Sequence, residues 1–524
     1  MKLFFHSVIG TFSGFIRWGL LGVILMSVHL MGEVTLPASI SSKMVIQREM
    51  PVPIWGLASA GEEVTVAFNG QTVKATANAD GKWMVKLAPM KEGGPFSMTI
   101  TGQNTVVIED VLIGEVWFCS GQSNMAFTLK NDQDAEKEIP QCKNPDIRFF
   151  VTDETVADSP QFTVKGKWSE CNPKSVGSSS AIAYYFGKQL QSNLNVPIGL
   201  LQSAYGSGTS ADAWMDKAIL QKDPDFKPIL DRWAQDVATY PANWEEYQKQ
   251  KQQFDKASEA AIAIGAKPPK APLIPRGKLG SRETPSGCFY GMLKPHVPYA
   301  IRGVIWYQGE SNDHYGFQYR KLLPALIQSW REMWGEGEFP FLIVQLPNLN
   351  LRIPPAPPAW AEIREAQFLT YKNVINTALV TTIDIGDPNV FSFKNKRPVG
   401  ERLAVAAMGR VYGKTDEWMG PIYKSQKVES GKIRLTFDHI GRGLTSSEGA
   451  LKGFKIAGDD KNFFPAEAVI DGDTVVVSNF QTNDPVSVRY AWEDNPQCTL
   501  FNKEGLPASP FRTDDWPEST FNNR

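Results

Sequence analysis

The chain has 524 residues, of which 42% are hydrophobic and 21% charged, and its formal net charge is −2. A chain of this length exceeds what a single hydrophobic core accommodates, so we expect about two to four globular domains. The near-neutral charge excludes the basic surface that is typical of nucleic-acid-binding proteins.

The first 32 residues have the pattern of an export segment rather than of a folded domain. Lys2 and Arg17 precede a largely apolar run, and this order is typical of a secretory signal peptide. Because the Ala-x-Ala cleavage pattern is missing, an uncleaved amino-terminal anchor is the alternative. Both interpretations predict a periplasmic or extracellular protein with no other membrane contact. In such a protein Cys142 and Cys171 are candidates for a disulfide bond, although the sequence does not give the distance between them in the fold.

Residues 33–110 carry the alternation of a β domain. Apolar residues alternate with polar or small ones over residues 64–68, and Asn69-Gly70 directly after them is a hairpin signal. Short strands at this spacing predict a small β-sandwich. The region holds no catalytic grouping, so we expect it to support the rest of the molecule.

Residues 111–415 alternate apolar strand patterns with helical patterns. The candidate strands are 116–119, 147–151, 198–202, 304–307, 341–346 and 378–383. The helical runs between them include 181–193, 317–334, 361–371 and 399–411. This alternation predicts a mostly parallel sheet that helices cover on both faces.

A charged helical segment at about residues 216–285 interrupts this alternation. Its pattern predicts a helical hairpin, with helices at 225–240 and 244–264, followed by a stiff proline-rich exit. Two roles are open for its aromatic residues, which either line a wall of the cleft or hold the two helices together. These residues are Trp233, Trp244 and Tyr247.

Residues 416–524 return to a β pattern. Short apolar runs recur between turn signals, among them Asp471-Gly472, and predict a second β region. The tail at residues 502–516 is polar and has little periodicity. We expect this tail to pack back onto the preceding domain.

A serine follows the first strand of the alternating region. The apolar run 116–119 stops at Ser120-Gly121, and Ser123 lies in the Gly-x-Ser turn that comes next. Open α/β sheets bind ligands at the carboxyl ends of their strands, and a strand-to-helix turn there exposes a hydroxyl. Taken alone, the segment is also compatible with an ordinary Ser/Gly turn.

Two further loops bring amide groups to the same edge of the predicted sheet. Gly206 and Gly208 follow the strand 198–202, and glycine lets a backbone N–H approach a ligand closely. Gln308 and Asn312 follow the strand 304–307 and offer side-chain amides. A serine nucleophile surrounded by such donors favours acyl transfer, because the donors stabilise the oxyanion. The sequence has no metal-ligand spacing, so this site is predicted to need neither metal nor cofactor.

The segments 121–125 and 306–312 resemble the signature blocks of sialate O-acetylesterases, which are carbohydrate esterases of the SGNH hydrolase superfamily. The resemblance continues in segments 44–48, 51–56, 299–303, 364–367 and 504–512. It implies an SGNH-type, flavodoxin-like parallel sheet flanked by helices, in a protein that removes acetyl groups from sugars. It also implies that Ser123 is the nucleophile and that its own amide joins the oxyanion donors. Ser207 is an extra residue against the Gly-Gly-Thr pattern of the family.

The chain departs from the family pattern in one late loop. There these esterases carry a catalytic His that an Asp orients and a Pro follows, whereas this chain has Val390, Ser392 and Phe393 at the three positions. A serine without an adjacent base is a poor nucleophile at neutral pH. Loss of the base leaves a residual acceleration of about 10³–10⁴-fold over water. His314 is a candidate substitute base, because it follows the second signature block.

Two hypotheses therefore follow from the sequence. One is an O-acetylesterase that acts on acetylated carbohydrate through Ser123. The other is a catalytically impaired, carbohydrate-binding relative of the same fold. The intact loops around Ser123 favour the first, and the altered loop at Val390 and Ser392 favours the second.

Overall fold

A mixed β-sheet flanked by helices forms the centre of the computed structural model, which describes residues 32–350 and 359–524. This architecture confirms the predicted α/β class. Residues 1–31, to which nearly all of the predicted export segment belongs, lie outside the described residues. Within the described part of the chain, no helix combines the length and the hydropathy that crossing a membrane requires.

The amino-terminal region joins the central sheet through one long strand. Its own strands are β1 (Val45–Gln47), β2 (Val52–Leu57), β3 (Glu63–Phe68), β4 (Gln71–Thr76), β5 (Lys82–Leu87) and β6 (Gly93–Thr101). β2 pairs with β5, and β3 pairs with β4 and β6. β1 and β6 also pair with the first part of β7 (Thr105–Gly121). β7 is therefore continuous across residue 110, the boundary that the sequence pattern predicts between the β domain and the alternating region.

The second part of β7 lies in the middle of the central sheet. The other strands are β8 (Asn144–Thr152), β9 (Gly166–Cys171), β10 (Ile198–Ala204), β11 (Gly303–Tyr307), β12 (Phe341–Val344) and β13 (Thr377–Val380). Their order is β13-β12-β11-β7-β10-β8-β9, and all neighbours are parallel except β8 and β9. The six predicted strands are thus present. Parallel pairing brings the carboxyl ends of β7, β10 and β11 to one edge.

The helices flank this sheet. They are α1 (Ser123–Ala126), α2 (Ala135–Gln141), α3 (Ala181–Leu194), α4 (Lys217–Lys222), α5 (Lys227–Ala263), α6 (Gly316–Trp334), α7 (Ala359–Asn373) and α8 (Arg397–Arg410). α3 packs against α8, and α6 packs against α7. Ser180 caps α3, because its hydroxyl accepts a hydrogen bond from the Ala183 amide at 3.2 Å.

The inserted segment contains one long helix, so the prediction of a helical hairpin is wrong. α5 continues for 37 residues through Pro241, the residue at which the pattern suggested a break. Tyr240, Trp244 and Tyr247 stack along the helix with ring centroids 5.7 and 5.3 Å apart. Pro241 has no N–H, so the helical turn before it lacks one hydrogen bond. Tyr240 lies in that turn, and the stacked rings join it to the turns that follow. The rings therefore join successive turns of one helix and not two helices.

The cysteines divide into one bridged pair and three free thiols within the described residues. Cys142 and Cys171 form a disulfide with a Cα–Cα distance of 6.3 Å, which links the segment just before β8 to the last residue of β9. Cys119 and Cys288 are buried, and burial raises the pKa of both thiols above the ordinary value. We therefore expect these two thiols to stay protonated and unreactive at neutral pH.

The carboxyl-terminal region is built from short strands. They are β14 (Ile422–Glu429), β15 (Lys432–Asp438), β16 (Leu444–Ser446), β17 (Phe454–Ala457), β18 (Phe464–Pro465), β19 (Glu467–Asp471), β20 (Thr474–Ser478), β21 (Ser487–Tyr490), β22 (Leu500–Asn502) and β23 (Phe511–Arg512). Arg512 Nε donates to the carboxylate of Glu365 on α7 at 2.7 Å. Phe317 on α6 donates its amide to Thr520 Oγ1 at 2.9 Å. The tail thus lies on the helices of the central region.

A buried carboxylate ties the amino-terminal region to the central sheet. Glu115 lies in the middle of β7 with its side chain fully buried. It accepts hydrogen bonds from Arg48 Nε at 2.6 Å and from Arg302 Nε at 2.7 Å. Arg48 follows β1, and Arg302 precedes β11. One carboxylate therefore neutralises two largely buried guanidinium groups from different parts of the fold.

We expect Glu115→Gln to lower the free energy of unfolding by about 3–5 kcal/mol, because it removes the buried carboxylate that two guanidinium groups share and leaves them only the more exposed Glu92 and Glu49. Glu63→Gln is the matched control, since Glu63 pairs with Lys74 on the exposed surface at 2.7 Å. The control should lose at most about 1 kcal/mol. Urea unfolding followed by tryptophan fluorescence measures both. Equal losses in the two variants would contradict the role of Glu115.

Candidate active site

Ser123 begins the short helix α1 directly after β7. At the end of β7, Gly121 lies opposite Ala204 of β10 and Tyr307 of β11. Gly121 has a φ of 139°, and a Cβ on it would lie 2.1 Å from the Tyr307 carbonyl oxygen. Only glycine tolerates this backbone and this approach. The turn therefore places the serine at the carboxyl edge of the sheet, between the loops that follow β10 and β11.

The loop after β10 supplies the amide that contacts the serine. Ser123 Oγ accepts a hydrogen bond from the Ser207 amide at 2.6 Å. The Gly206 amide instead donates to Glu154 Oε1 at 3.0 Å. The predicted donors of this loop are Gly206 and Gly208, but the amide in contact with the hydroxyl belongs to Ser207, the residue between them. The extra residue of the loop thus lies at the centre of the site, and Glu154 is a neighbour that the sequence did not reveal.

The loop after β11 contributes Asn312 and the residues that orient it. Gln308 Nε2 donates to Asn312 Oδ1 at 2.7 Å, and the Ala211 amide donates to the same oxygen at 3.0 Å. Tyr319 in turn donates its hydroxyl to Gln308 Oε1 at 2.8 Å. The Gln308 amide is therefore engaged in holding Asn312, so that Asn312 Nδ2 is the better placed side-chain donor. None of the hydrogen bonds among the described residues uses that nitrogen.

Asn124, the residue after Ser123, connects three loops. Its Nδ2 donates to Glu310 Oε1 at 2.6 Å and to the Phe391 carbonyl oxygen at 3.1 Å. Its Oδ1 accepts a hydrogen bond from Lys396 Nζ. Glu310 lies in the loop after β11, whereas Phe391 and Lys396 lie in the altered loop. One buried amide therefore holds both loops against the serine turn.

The amine of Lys396 is buried between two aromatic rings. Its Nζ lies 3.6 Å from the ring centroid of Phe393 and 4.9 Å from that of Phe127. Burial lowers the pKa of Lys396 to about 7, although the nearby charges of Glu310 and Asp132 raise it. Burial also raises the pKa of Glu310 above its ordinary value. Lys396 is not among the residues predicted for the site, because a lysine in a polar loop usually lies in solvent.

The altered loop keeps its place but offers no base. The Val390 side chain is 45% exposed, and that of Ser392 is partly exposed. The neighbouring aspartates are engaged in the fold, since Asp384 pairs with Arg402 at 2.6 Å and Asp387 accepts the Asn389 amide at 2.8 Å. The positions at which the sequence resemblance predicts an acid and a base thus hold a valine and a serine within a docked loop.

The three described histidines have other partners. His296 is buried with its Nε2 3.0 Å from Thr152 Oγ1, and burial lowers its pKa to about 3. His439 Nδ1 lies 2.7 Å from Glu417 Oε1 in the carboxyl-terminal region. The His314 side chain is 71% exposed, and its ring lies 3.7 Å from Asp313 Oδ1. Among the described residues no hydrogen bond joins an imidazole to Ser123, and the role of His314 as substitute base stays a prediction.

Comparisons with known proteins find similar carbohydrate esterases. Residues 291–409 match the model of a family described as carbohydrate esterase, sialic acid-specific acetylesterase. The sialate O-acetylesterases of Mus musculus and Homo sapiens are 28% and 27% identical to 90% of this chain, over 93% and 91% of their own lengths. The crystal structure of a carbohydrate acetylesterase from Xanthomonas citri is 32% identical. It superposes with a TM-score of 0.78 and covers 92% of this chain and 100% of its own.

We expect Lys396→Met to remove the part of the pH dependence of the unfolding free energy that is due to Lys396. The pKa of Lys396 is about 7 in the folded chain and 10.5 ordinarily, so the unfolded chain binds more protons between these values. Wild-type stability should therefore rise relative to Lys396→Met by about 2–3 kcal/mol from pH 7 to pH 9. Below pH 7 the lysine is charged in both states, and its contribution is constant.

Denaturant unfolding of both proteins at several pH values measures this difference. Lys394→Met is the matched control, because Lys394 lies in the same loop but is exposed. The control should follow the pH dependence of the wild type. If Lys396→Met also shows the pH dependence of the wild type, the amine of Lys396 is not buried between the rings of Phe127 and Phe393.

Proposed function

The chain belongs to the sialate O-acetylesterase family of carbohydrate esterases, and on this basis we propose that it removes acetyl groups from the hydroxyls of sugars with Ser123 as nucleophile. We further propose that the central sheet is of the SGNH type. The observation that carries the proposal is the contact of Ser123 Oγ with the Ser207 amide, 2.6 Å away at the carboxyl edge of the sheet. This geometry suits a hydroxyl that attacks an ester and an N–H that stabilises the resulting charge.

In the proposed reaction Ser123 Oγ attacks the carbonyl carbon of the acetyl ester and gives up its proton to water, and the solvent returns a proton to the sugar oxygen when that oxygen leaves. The carbonyl oxygen becomes an oxyanion, which the N–H groups of Ser207 and Asn312 stabilise. The bond between the acyl carbon and the sugar oxygen then breaks, and the sugar leaves as an alcohol once it has taken up a proton. Water hydrolyses the acetyl-serine and releases acetate, so that the enzyme returns to its starting state.

The proton of Ser123 is the difficult part of this reaction. The hydroxyl of Ser392 cannot accept a proton at neutral pH, so we expect slow turnover that depends on binding and on the oxyanion donors. Even so, the loops around Asn124 are held together by buried hydrogen bonds. This retained arrangement supports catalysis rather than a purely binding role.

We also propose that the protein acts outside the cytoplasm. The disulfide between Cys142 and Cys171 supports this proposal, because disulfides persist in oxidising compartments such as the bacterial periplasm. The residues that precede the described part of the chain were predicted to direct export. The substrate would then be an acetylated carbohydrate at the cell surface or beyond it.

We expect the purified protein to hydrolyse 4-nitrophenyl acetate faster than its Ser123→Ala variant does. Ser123→Ala removes the nucleophile and leaves the amide donors in place, so the difference between the two rates is the rate of the serine pathway. Release of 4-nitrophenolate measures both rates. Equal rates would contradict the role of Ser123.

We expect Val390→Asp combined with Ser392→His to raise kcat/KM by about 10²–10⁴-fold, which is the usual contribution of a positioned general base. The loop is already docked through the Phe391 carbonyl, so the imidazole should reach the serine without rearrangement of the backbone. The assay is the same, and the increase should follow the ionisation of an imidazole.

Ser123→Ala in the restored background is the control and should remove the gain. Ser392→His alone should gain less, because no acid orients its ring. A folded double variant without any gain would show that this loop does not reach the nucleophile.

A further inference from the structure

A carboxylate that the sequence did not reveal lies on the solvent side of the candidate active site. Glu154 follows β8, the strand next to β10, and its side chain is exposed. Glu154 Oε1 accepts a hydrogen bond from the Gly206 amide at 3.0 Å, in the loop that also carries the Ser207 amide. Its Oε2 takes part in no hydrogen bond or ion pair with a described residue. One oxygen therefore fixes the carboxylate against the loop, and the other is available as an acceptor.

The backbone of Gly206 brings this carboxylate close to the nucleophile. A Cβ on Gly206 would lie 3.6 Å from Glu154 Oε1 and 4.0 Å from Ser123 Oγ. Apart from the chain neighbours of Gly206, no other described atom comes within 4 Å of that point. The two oxygens thus border one open space, which the missing side chain of the glycine leaves free. A single water molecule in this space would be a neighbour of both oxygens.

The proton of the nucleophile has no acceptor among the residues that the structure describes. Ser123 Oγ accepts from the Ser207 amide at 2.6 Å, and this contact uses a lone pair of the oxygen and not its hydrogen. No hydrogen bond to a described residue uses the O–H of Ser123. The hydroxyl therefore still has a proton to donate at the place where it borders the open space.

Two other carboxylates near the site are less suited to take up this proton. Glu310 Oε1 accepts from Asn124 Nδ2 at 2.6 Å and so serves to hold the serine turn. Glu283 lies against Gly208, where a Cβ would be 4.0 Å from Glu283 Oε1. The Oγ of the nucleophile is not within 4 Å of that second point. The geometry therefore favours Glu154.

We propose that Glu154 is the general base of this site and that it acts through one water molecule. The inference rests on the proposed function, since it supplies the proton transfer that the altered loop no longer provides. While Ser123 Oγ forms its bond to the acyl carbon, its proton passes to the water, and a proton of that water passes to Glu154. The same path returns a proton to the sugar oxygen when the ester bond breaks.

The second half of the reaction uses the same carboxylate. Glu154 accepts a proton from the water that attacks the acetyl group, and this proton returns to Ser123 Oγ when the acyl bond breaks and acetate leaves. All protons are thereby accounted for without a further reactant. A carboxylate is a weaker base than an imidazole, so turnover stays slower than in an enzyme with a positioned histidine.

Hydrolysis of 4-nitrophenyl acetate by Glu154→Gln tests the proposal. Glutamine keeps an oxygen for the Gly206 amide but cannot take up a proton. We expect kcat/KM of the serine pathway to fall by about 10²-fold, the lower end of the usual contribution of a general base. Asp153→Asn is the matched control, because it removes the same charge from the neighbouring residue, which is also exposed. The control should keep the wild-type rate.

Glu154→Asp distinguishes a base from a residue that only holds the loop. A base requires a carboxylate, so Glu154→Asp should retain more activity than Glu154→Gln. A residue that only accepts the Gly206 amide requires the length of the side chain, and the order of the two variants would then be reversed. Because each change affects an exposed side chain, we expect both variants to fold like the wild type.

The pH dependence of kcat/KM gives a second, independent measurement. Acid protonates a carboxylate, so the wild type should lose activity on acidification and Glu154→Gln should lack this decline. The titratable neighbours Tyr205 and Cys288 stay protonated there, because burial raises the pKa of each above its ordinary value. Arg282 and Glu283, which lie on the other side of Tyr205 and Gly208, are the same in both proteins.

Ser123→Ala in the same assay separates this proposal from the proposed function. Equal rates of the wild type and Ser123→Ala would contradict both. A serine pathway that Glu154→Gln leaves unchanged overturns the role of Glu154 alone. The same holds if Asp153→Asn loses as much activity, if Glu154→Gln is faster than Glu154→Asp, or if the decline in acid persists in Glu154→Gln.

Discussion

The side-chain amide of Asn124 is the contact on which the arrangement of the site depends. Its nitrogen holds Glu310 and the Phe391 carbonyl, and its oxygen holds Lys396. These partners lie 186, 267 and 272 residues away in the chain. An amide that uses both of its ends in a buried network has one orientation, because its rotation would leave donors and acceptors unsatisfied. Since Ser123 immediately precedes Asn124, the same network orients the serine turn.

This network explains how the loop that contains Val390 and Ser392 is held against the serine turn. The atom that Asn124 contacts at residue 391 is a main-chain oxygen, which every residue supplies. The second anchor is Lys396, whose ammonium lies 3.6 Å from the ring centroid of Phe393, one of the altered residues. Such a contact stabilises a desolvated cation by about 2 kcal/mol. Docking of the loop therefore depends on atoms other than the side chains of Val390 and Ser392.

The sequence predicted the features that depend on local pattern and missed those that depend on long-range contact. The central strands were recognisable because strands buried on both faces are continuous apolar runs, and Ser123 because its turn needs Gly121. The break expected at Pro241 did not occur, since stacking of aromatic rings further along the chain outweighs one lost hydrogen bond. Neither the contact of the Ser207 amide with the serine nor the burial of Lys396 leaves a trace in the local sequence.

The inserted helix adds one wall of a cavity to this framework. α5 is about 55 Å long, yet Ile229 in its first turn is its buried residue. Packing against the core therefore accounts for little of the helix. The same first turns carry Arg232 and Trp233, which line the cavity beside Asn312. The insertion is thus anchored at the point where it borders the site. The sheet edge carries Ser123 and the amides around it, and the first turns of α5 add a wall of the cavity beside Asn312.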